Sequence, residues 1–368
     1  MAPHVKHPPV SRPHRGQFAH CEISLLGAPC GLIREVVEHY IQARPAHLLA
    51  YADADHHPEK SPFPVGGQWM DHQSFHSLRA PGQMGEWQRR SAFQQCDGAL
   101  VNGNHFDASH QIALVHPDKL ASLEKRLARL TSVLAVVLCP GIDAWPAFLS
   151  NHLPAETPTV KLEDHKGLHT LLDQHLLTPA PLYGLVLAGG KSTRMGTDKG
   201  LLNLHGKPQR EYLTDLLGEV CEEVLVSCRP DQAEDIAAFA TPLPDRISDF
   251  GPLGALMTAF MHNANAAYVV VACDMPGLDR EALEHLVRNR NTSKIASAFV
   301  KSEESFPEPL CAIWEPKSYG QLLGFLSQGN SCPRKVLINS NTEKILTPNL
   351  LWVSNINTKE DLSAWNQG

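Results

Sequence analysis

A chain of 368 residues is longer than one hydrophobic core usually serves, so two domains are expected. The composition, 43% hydrophobic and 19% charged, is that of a globular protein, and a net charge of -7 gives no reason to expect nucleic acid or an anionic membrane as a partner. Any phosphate-bearing ligand must therefore be met by a local group of cations and backbone amides. Nine cysteines lie scattered with no C-x-x-C pair, which argues against a zinc knuckle or a redox dithiol. Cys139, Cys273 and Cys311 sit within apolar runs, where cysteine acts as a small hydrophobe. Reduced thiols and a cytoplasmic location are the simplest expectation. No run approaches the roughly 20 apolar residues that span a bilayer.

Residues 1–20 are rich in Pro, His and Arg and lack the apolar stretch of a secretory signal, so they read as a disordered tail. His4, His7 and His14 could bind a metal there, although a flexible polar tail is the plainer reading. A first α/β domain is expected over 21–178. Strand patterns occur at 22–26, 47–52, 99–102 and 133–138, and helical spacing at 32–43 and 119–130. Strands alternating with helices imply parallel βαβ units in a layered sheet. Residues 56–95 carry many His, Gln, Gly and Pro, are less legible, and are expected to include long loops. Asp53, Asp55, His56 and His57 follow one strand, and Asn102, Asn104 and His105 close another. They could ligate a metal, but a polar loop explains them as simply.

Two prolines, Pro179 and Pro181, end a helix and mark the seam to a second domain over 179–368. Strand patterns follow at 183–188, 223–228 and 268–273, with helical patterns at 209–220, 232–239, after Gly254, and at 280–289. The first strand runs into Gly189 and Gly190, and then to Arg194, Asp198 and Lys199. Adjacent glycines let a backbone turn tightly and bring amides close to a ligand, while Arg194 and Lys199 can neutralise a triphosphate. A P-loop ending in Gly190, Lys191 and Ser192 would need glycine at Leu185, and G-x-G-x-x-G does not fit glycines at 189, 190 and 196.

Asp274 ends the strand at 268–273 and precedes Pro276, where ligands collect in open α/β sheets. A carboxylate there can hold Mg²⁺ together with substrate phosphates. Helix capping would be the alternative duty, but Asp279 suits the helix at 280–289 better. Asp245 and Asp249 precede Gly251, Pro252, Leu253 and Gly254, and either could instead be a turn former. Near the C-terminus, Glu308, Pro309 and Leu310 open an apolar run. Asn355, Asn357, Thr358, Asp361 and Leu362 form a polar stretch in which Thr358 and Asp361 can cap a helix.

Together these stretches resemble molybdenum cofactor guanylyltransferases. L-A-G-G-x-S-x-R-M-G-x-D-K spans 187–199, C-D-M-P spans 273–276, E-P-L begins at Glu308, and N-I-N-T spans 355–358. The resemblance covers about 182–368 and implies a Rossmann-like, mostly parallel α/β nucleotidyltransferase (nucleotide-diphospho-sugar transferase) fold. It implies GMP transfer from GTP to molybdopterin with Mg²⁺, and a molybdoenzyme or cofactor-insertion protein as a candidate recipient. By that likeness Leu187, Ala188, Gly189, Gly190, Lys199, Asp274 and one of Asp245 and Asp249 contact nucleotide, with spacing to the glycines favouring Asp245. Lys199, Arg194 and Asp274 serve catalysis, with Asp274 also on the metal, and Asn355 and Asn357 face the pterin. The chain departs from the family pattern at Ala255, where a second glycine is usual, at Cys228 and at Lys359. Cytidylyl transfer to the same pterin, sugar-phosphate nucleotidyl transfer and a non-catalytic carrier are the rival readings.

In the first domain, Gly27 and Gly31 follow a strand as in a P-loop, but Leu32, Ile33 and Arg34 stand where Gly-Lys-Ser/Thr is needed. The layout resembles the P-loop adaptor proteins of cofactor biosynthesis with the nucleotide site eroded, so hydrolysis of a triphosphate there is not expected.

Overall fold

A computed structural model describes residues 10–13, 16–54, 68–72, 75–79, 84–190, 198–247 and 249–365. It divides into two compact units, His14–Thr178 and Pro179–Gly368, the latter including Met1–Pro13.

In the first unit the strands are β1 (Glu22–Leu26), β2 (Leu49–Ala52), β3 (Gln68–His72), β4 (Phe75–Arg79), β5 (Gly98–Asn102), β6 (His110–Val115), β7 (Val133–Leu138) and β8 (Thr159–Lys161). The helices are α1 (Cys30–Gln42), α2 (Glu86–Ala92), α3 (Leu120–Glu124), α4 (Ala147–Ser150) and α5 (His165–Leu176). Six strands form a parallel sheet in the order β2-β5-β1-β6-β7-β8, and β3 pairs with β4 as an antiparallel hairpin. Ile23, Leu25 and Leu100 pack on one face of the sheet, whereas Leu26, Ala99 and Val101 pack on the other. Period-two alternation with both faces apolar is what a sheet covered by helices on each side requires.

Two expectations fail here. The tail does not extend to residue 20. Phe18 is 3% exposed, with its ring 5.4 Å from Phe93 and 5.6 Å from Phe106, and Ala19 is buried beside it. The polar composition of the stretch hid this one apolar pair. Residues 119–130 do not form a continuous helix. They break into α3 and a 3₁₀ turn at Leu127–Arg129. Tighter winding sets residues three apart on one side, which keeps Leu127 and Leu130 with Leu123 in the core. It also lets Arg129 reach Asp107 (2.6 Å) and the Gly103 carbonyl (2.8 Å).

The second unit holds β9 (Leu182–Leu187), β10 (Glu223–Cys228), β11 (Thr241–Pro244), β12 (Ala267–Ala272), β13 (Ala296–Val300), β14 (Cys311–Trp314) and β15 (Thr342–Leu346). Its helices are α6 (Gln209–Gly218), α7 (Ala233–Ile236), α8 (Gly251–His262), α9 (Arg280–Arg288), α10 (Ser318–Ser327), α11 (Pro333–Ile338) and α12 (Lys359–Trp365). The sheet order is β11-β10-β9-β12-β14-β13-β15. Only β14 runs against its neighbours β12 and β13; the other pairings are parallel. Val186, Val226 and Val269 face α6 and α9, while Leu185, Leu225 and Val270 face α8. No described helix is long and apolar enough to cross a membrane.

Candidate active site

The carboxyl ends of β9, β10 and β12 open onto a cleft of about 280 Å³. Leu187, Ala188, Gly189 and Gly190 form one wall, Asp198 and Lys199 another, and Ser227, Asp245 and Asp274 contribute polar atoms. Stretches that are remote in sequence thus meet where a parallel sheet gathers its ligands. Arg194 lies outside the described residues.

Gly189 and Gly190 are not left-handed, so backbone turning does not account for them. Space does. Among the described residues a Cβ at Gly190 would meet nothing within 4 Å, and one at Gly189 only ordinary contacts at 3.5 Å. Neither packing nor φ asks for glycine here, whereas a ligand lying along the strand end would.

Lys199 is set by its neighbour. Asp198 Oδ1 accepts from the Gly200 N–H at 2.9 Å, and its Oδ2 accepts from Gln232 Nε2 at 2.9 Å. From this fixed turn Lys199 Nζ reaches Asp274 Oδ2 at 3.1 Å and Asn357 Oδ1 at 3.0 Å. Asp274 follows β12 at the point where the strand ends, and its carbonyl accepts the Ile356 N–H at 2.8 Å. The other oxygen, Asp274 Oδ1, is buried and has no hydrogen-bond partner among the described residues. An orphaned carboxylate oxygen of this kind is costly unless something pairs with it, and a hard divalent cation is a suitable occupant. Among the described residues no three His, Cys, Asp or Glu side chains cluster as a metal site. The remaining ligands would have to be phosphate oxygens and water, which suits Mg²⁺.

Asp245 lines the cleft and Asp249 does not. Ser227 Oγ donates to Asp245 Oδ1 at 2.9 Å, and burial raises the carboxyl above its ordinary range against that bond. Asp249 instead adopts φ +64°, a turn conformation that Asp tolerates, and leads through Gly251 (φ +52°) into α8. Close approach in this turn falls on Gly254, where a Cβ would stand 2.6 Å from the Ile247 carbonyl oxygen. Ala255 is buried and lines the cleft, so the departure at that position leaves the turn intact. Cys228 is buried in the core, and burial pushes its thiol up to about 11.

Asn357 touches Lys199, whereas Asn355 is half-buried two residues earlier and does not line the cleft. The segment is held from both sides. Asp361 Oδ2 accepts from the N–H groups of Asn357 and Thr358, both at 2.9 Å, and Thr358 Oγ1 accepts from the Asp361 N–H at 3.1 Å, a reciprocal cap on α12. Upstream, Trp352 is buried and donates to Asp279 Oδ2 at 3.1 Å, while Asp279 Oδ1 caps α9 through the Ala282 N–H at 2.8 Å. Pro252 and Leu310, which also line the cleft, fall within stretches that the sequence marks, whereas the contribution of Ser227 carries no sequence signal of its own.

Residues 184–344 match the MobA-like NTP transferase domain. The molybdenum cofactor biosynthesis bifunctional protein of Synechocystis is 34% identical over 191 residues, which cover 52% of this chain and 55% of that protein. The chain therefore spans about half the length of that relative. A probable molybdenum cofactor guanylyltransferase of Natronomonas pharaonis is 36% identical over 140 residues, covering 36% of this chain and 68% of the relative. The crystal structure of molybdopterin-guanine dinucleotide biosynthesis protein A from Archaeoglobus fulgidus is 26% identical, with a TM-score of 0.44, over 50% of this chain and 97% of that one.

Proposed function

This chain belongs to the molybdenum cofactor guanylyltransferase family, and on that premise we propose that residues 179–368 transfer GMP from GTP to the terminal phosphate of molybdopterin, releasing pyrophosphate. The observation that carries this reading is the convergence of Lys199, Asp274 and Asn357 beside a strand end kept open by Gly189 and Gly190.

The acceptor phosphate is anionic at neutral pH, so no general base is needed to make it a nucleophile. Its oxygen forms a new P–O bond at the α-phosphorus of GTP, and the bond to the pyrophosphate oxygen breaks. The chain's task is therefore positioning and charge neutralisation. In this reading Leu187, Ala188, Gly189 and Gly190 bring backbone toward the nucleotide, and Asp245, steadied by Ser227, accepts hydrogen bonds from it. Lys199 neutralises phosphate charge, and Asn357 orients its ammonium group. Arg194 assists on the same phosphates. Asp274 Oδ1 would hold Mg²⁺, which when bound supplies Lewis-acid stabilisation of phosphate charge. Asn355 and Asn357 face the pterin side. Residues 21–178 serve as an adaptor, and the whole acts in the cytoplasm on behalf of a molybdoenzyme or a cofactor-insertion protein.

Pyrophosphate release from GTP and CTP, with molybdopterin or a sugar phosphate as acceptor and Mg²⁺ present, tests the reading. Turnover with GTP and molybdopterin is expected. Preference for CTP or for a sugar phosphate would reassign the substrate, and no release with any triphosphate would favour a carrier.

A further inference from the structure

In the His14–Thr178 unit, three adjacent parallel strands end at a second polar cluster. β1 leads through Gly27 (φ +98°) to Cys30, the first residue of α1. β2 leads to Asp53, and β5 leads to Asn104 and His105. Cys30 Sγ lies 3.3 Å from His105 Nε2. Asn104 Nδ2 approaches the same sulfur at 3.6 Å and donates to the Ala28 carbonyl at 2.9 Å. Asp53 Oδ1 stands 3.8 Å from His105 Nε2. That carboxylate is itself fixed, accepting from Asn102 Nδ2 (2.8 Å), the Ala54 N–H (2.8 Å), the Tyr51 hydroxyl (3.0 Å) and Arg34 (3.4 Å).

The position is that of a P-loop, yet the residues cannot work as one. Ile33 is fully buried in the core, and Arg34 is engaged with Asp53. What the loop presents instead is a nucleophilic sulfur in contact with a base; the fixed carboxylate lies beside that same ring nitrogen, so it does not orient the imidazole as in a triad but is placed to stabilise the proton the nitrogen takes up. We propose that Cys30 and His105 form a reactive thiol site that attacks soft electrophiles, such as the sulfur of a small disulfide.

In that step the thiol proton passes to His105 Nε2 as Cys30 Sγ forms a bond to one sulfur of the disulfide. The original S–S bond breaks, and the outgoing sulfur leaves as a thiolate that takes up a proton. Cys30 is oxidised to a mixed disulfide, and the departing half is reduced to a thiol. Asp53 faces the imidazolium that results. The same pair would displace iodide from iodoacetamide, forming an S–C bond. Other thiols are placed to be inert: Cys139, Cys273 and Cys311 are buried, and burial pushes the half-buried Cys221 up to about 12.

Exposure alone predicts that Cys332, the exposed cysteine, reacts first. Limiting iodoacetamide and, separately, 4,4′-dithiodipyridine would be applied to the full chain near pH 7, with modification of each cysteine peptide followed by mass spectrometry. Cys30 is expected to react about tenfold faster than Cys332 or more, and His105→Gln to remove most of that advantage while leaving Cys332 unchanged. Faster reaction at Cys332, or an unchanged Cys30 rate in His105→Gln protein with a native circular dichroism spectrum, would overturn the proposal. If that variant unfolds, the wild-type ratio decides: the advantage must vanish in concentrated urea, and its persistence would assign the reactivity to local sequence instead.

Discussion

Asn357 Oδ1 lies 3.0 Å from Lys199 Nζ across 158 positions of sequence, and the same ammonium group lies 3.1 Å from Asp274. One cation therefore ties the glycine-rich turn, the end of β12 and the C-terminal segment into a single centre.

Removing either end of the Lys199–Asp274 contact should disable transfer without unfolding the unit. Lys199→Ala and Asp274→Asn are each expected to lower kcat by about 10²–10³-fold. Chelation of Mg²⁺ should do the same to the wild type, and readdition should restore it. Near wild-type pyrophosphate release in either variant would take that residue out of the chemistry.

Gly190 separates function from stability. With no atom of the described residues within 4 Å of its missing Cβ, Gly190→Ala should change unfolding free energy by no more than about 0.5 kcal/mol. The KM for GTP should rise about tenfold, because the methyl group occupies ligand space. Thermal unfolding and initial rates on one preparation check both halves.

The lesson of the sequence is uneven. Asp274 was readable because a hydrophobic run stops at an acid, and Lys199 because cations close a glycine turn. Spacing to the Gly251–Gly254 stretch favoured Asp245 and left Asp249 open; the cleft lining and the φ of +64° at Asp249 separate the two. The two glycines were marked for tight turning and for close approach to a ligand; neither is left-handed, so of the two reasons only the open space beside them remains. Residues 119–130 show local propensity giving way to the demand that Leu127 and Leu130 stay in the core. The Lys199–Asn357 contact leaves no periodic trace, and only the family likeness pointed to that end of the chain.

Arg290 and Glu315 form a two-pronged pair at 2.7 and 2.9 Å, with side chains only 10% and 4% exposed. Arg290→Ala strands a buried carboxylate and should cost about 3–5 kcal/mol. For a unit of this size that is a fall of roughly 6–20 °C in Tm. Replacing both residues with apolar ones of similar volume should recover most of the loss, and calorimetry of the single and double variants tests the pairing.

Acid should loosen α5 in two stages. Burial first, then Arg44 and His39, hold His169 below its ordinary 6.5. Below about 6.5 the unfolded chain thus binds a proton that the folded chain refuses, and stability falls with pH. Arg44, bonded to Asp173 at 2.7 and 2.6 Å, likewise holds that carboxyl below 3.8 against burial. Its contribution is present above about 3.8 and is lost as pH drops through the folded value. Hydrogen exchange of α5 amides across this range should show both stages, and His169→Phe should abolish the first alone.

Because Asn357 follows Lys199 by 158 residues, a ribosome at about 5–20 residues per second needs roughly 8–30 s between making one and making the other. During that interval the growing chain already carries its glycine turn and, later, its acid, yet the ammonium group lacks the amide that orients it. The Lys199–Asn357 bond therefore cannot form until synthesis has passed the asparagine, however early the glycine turn is made.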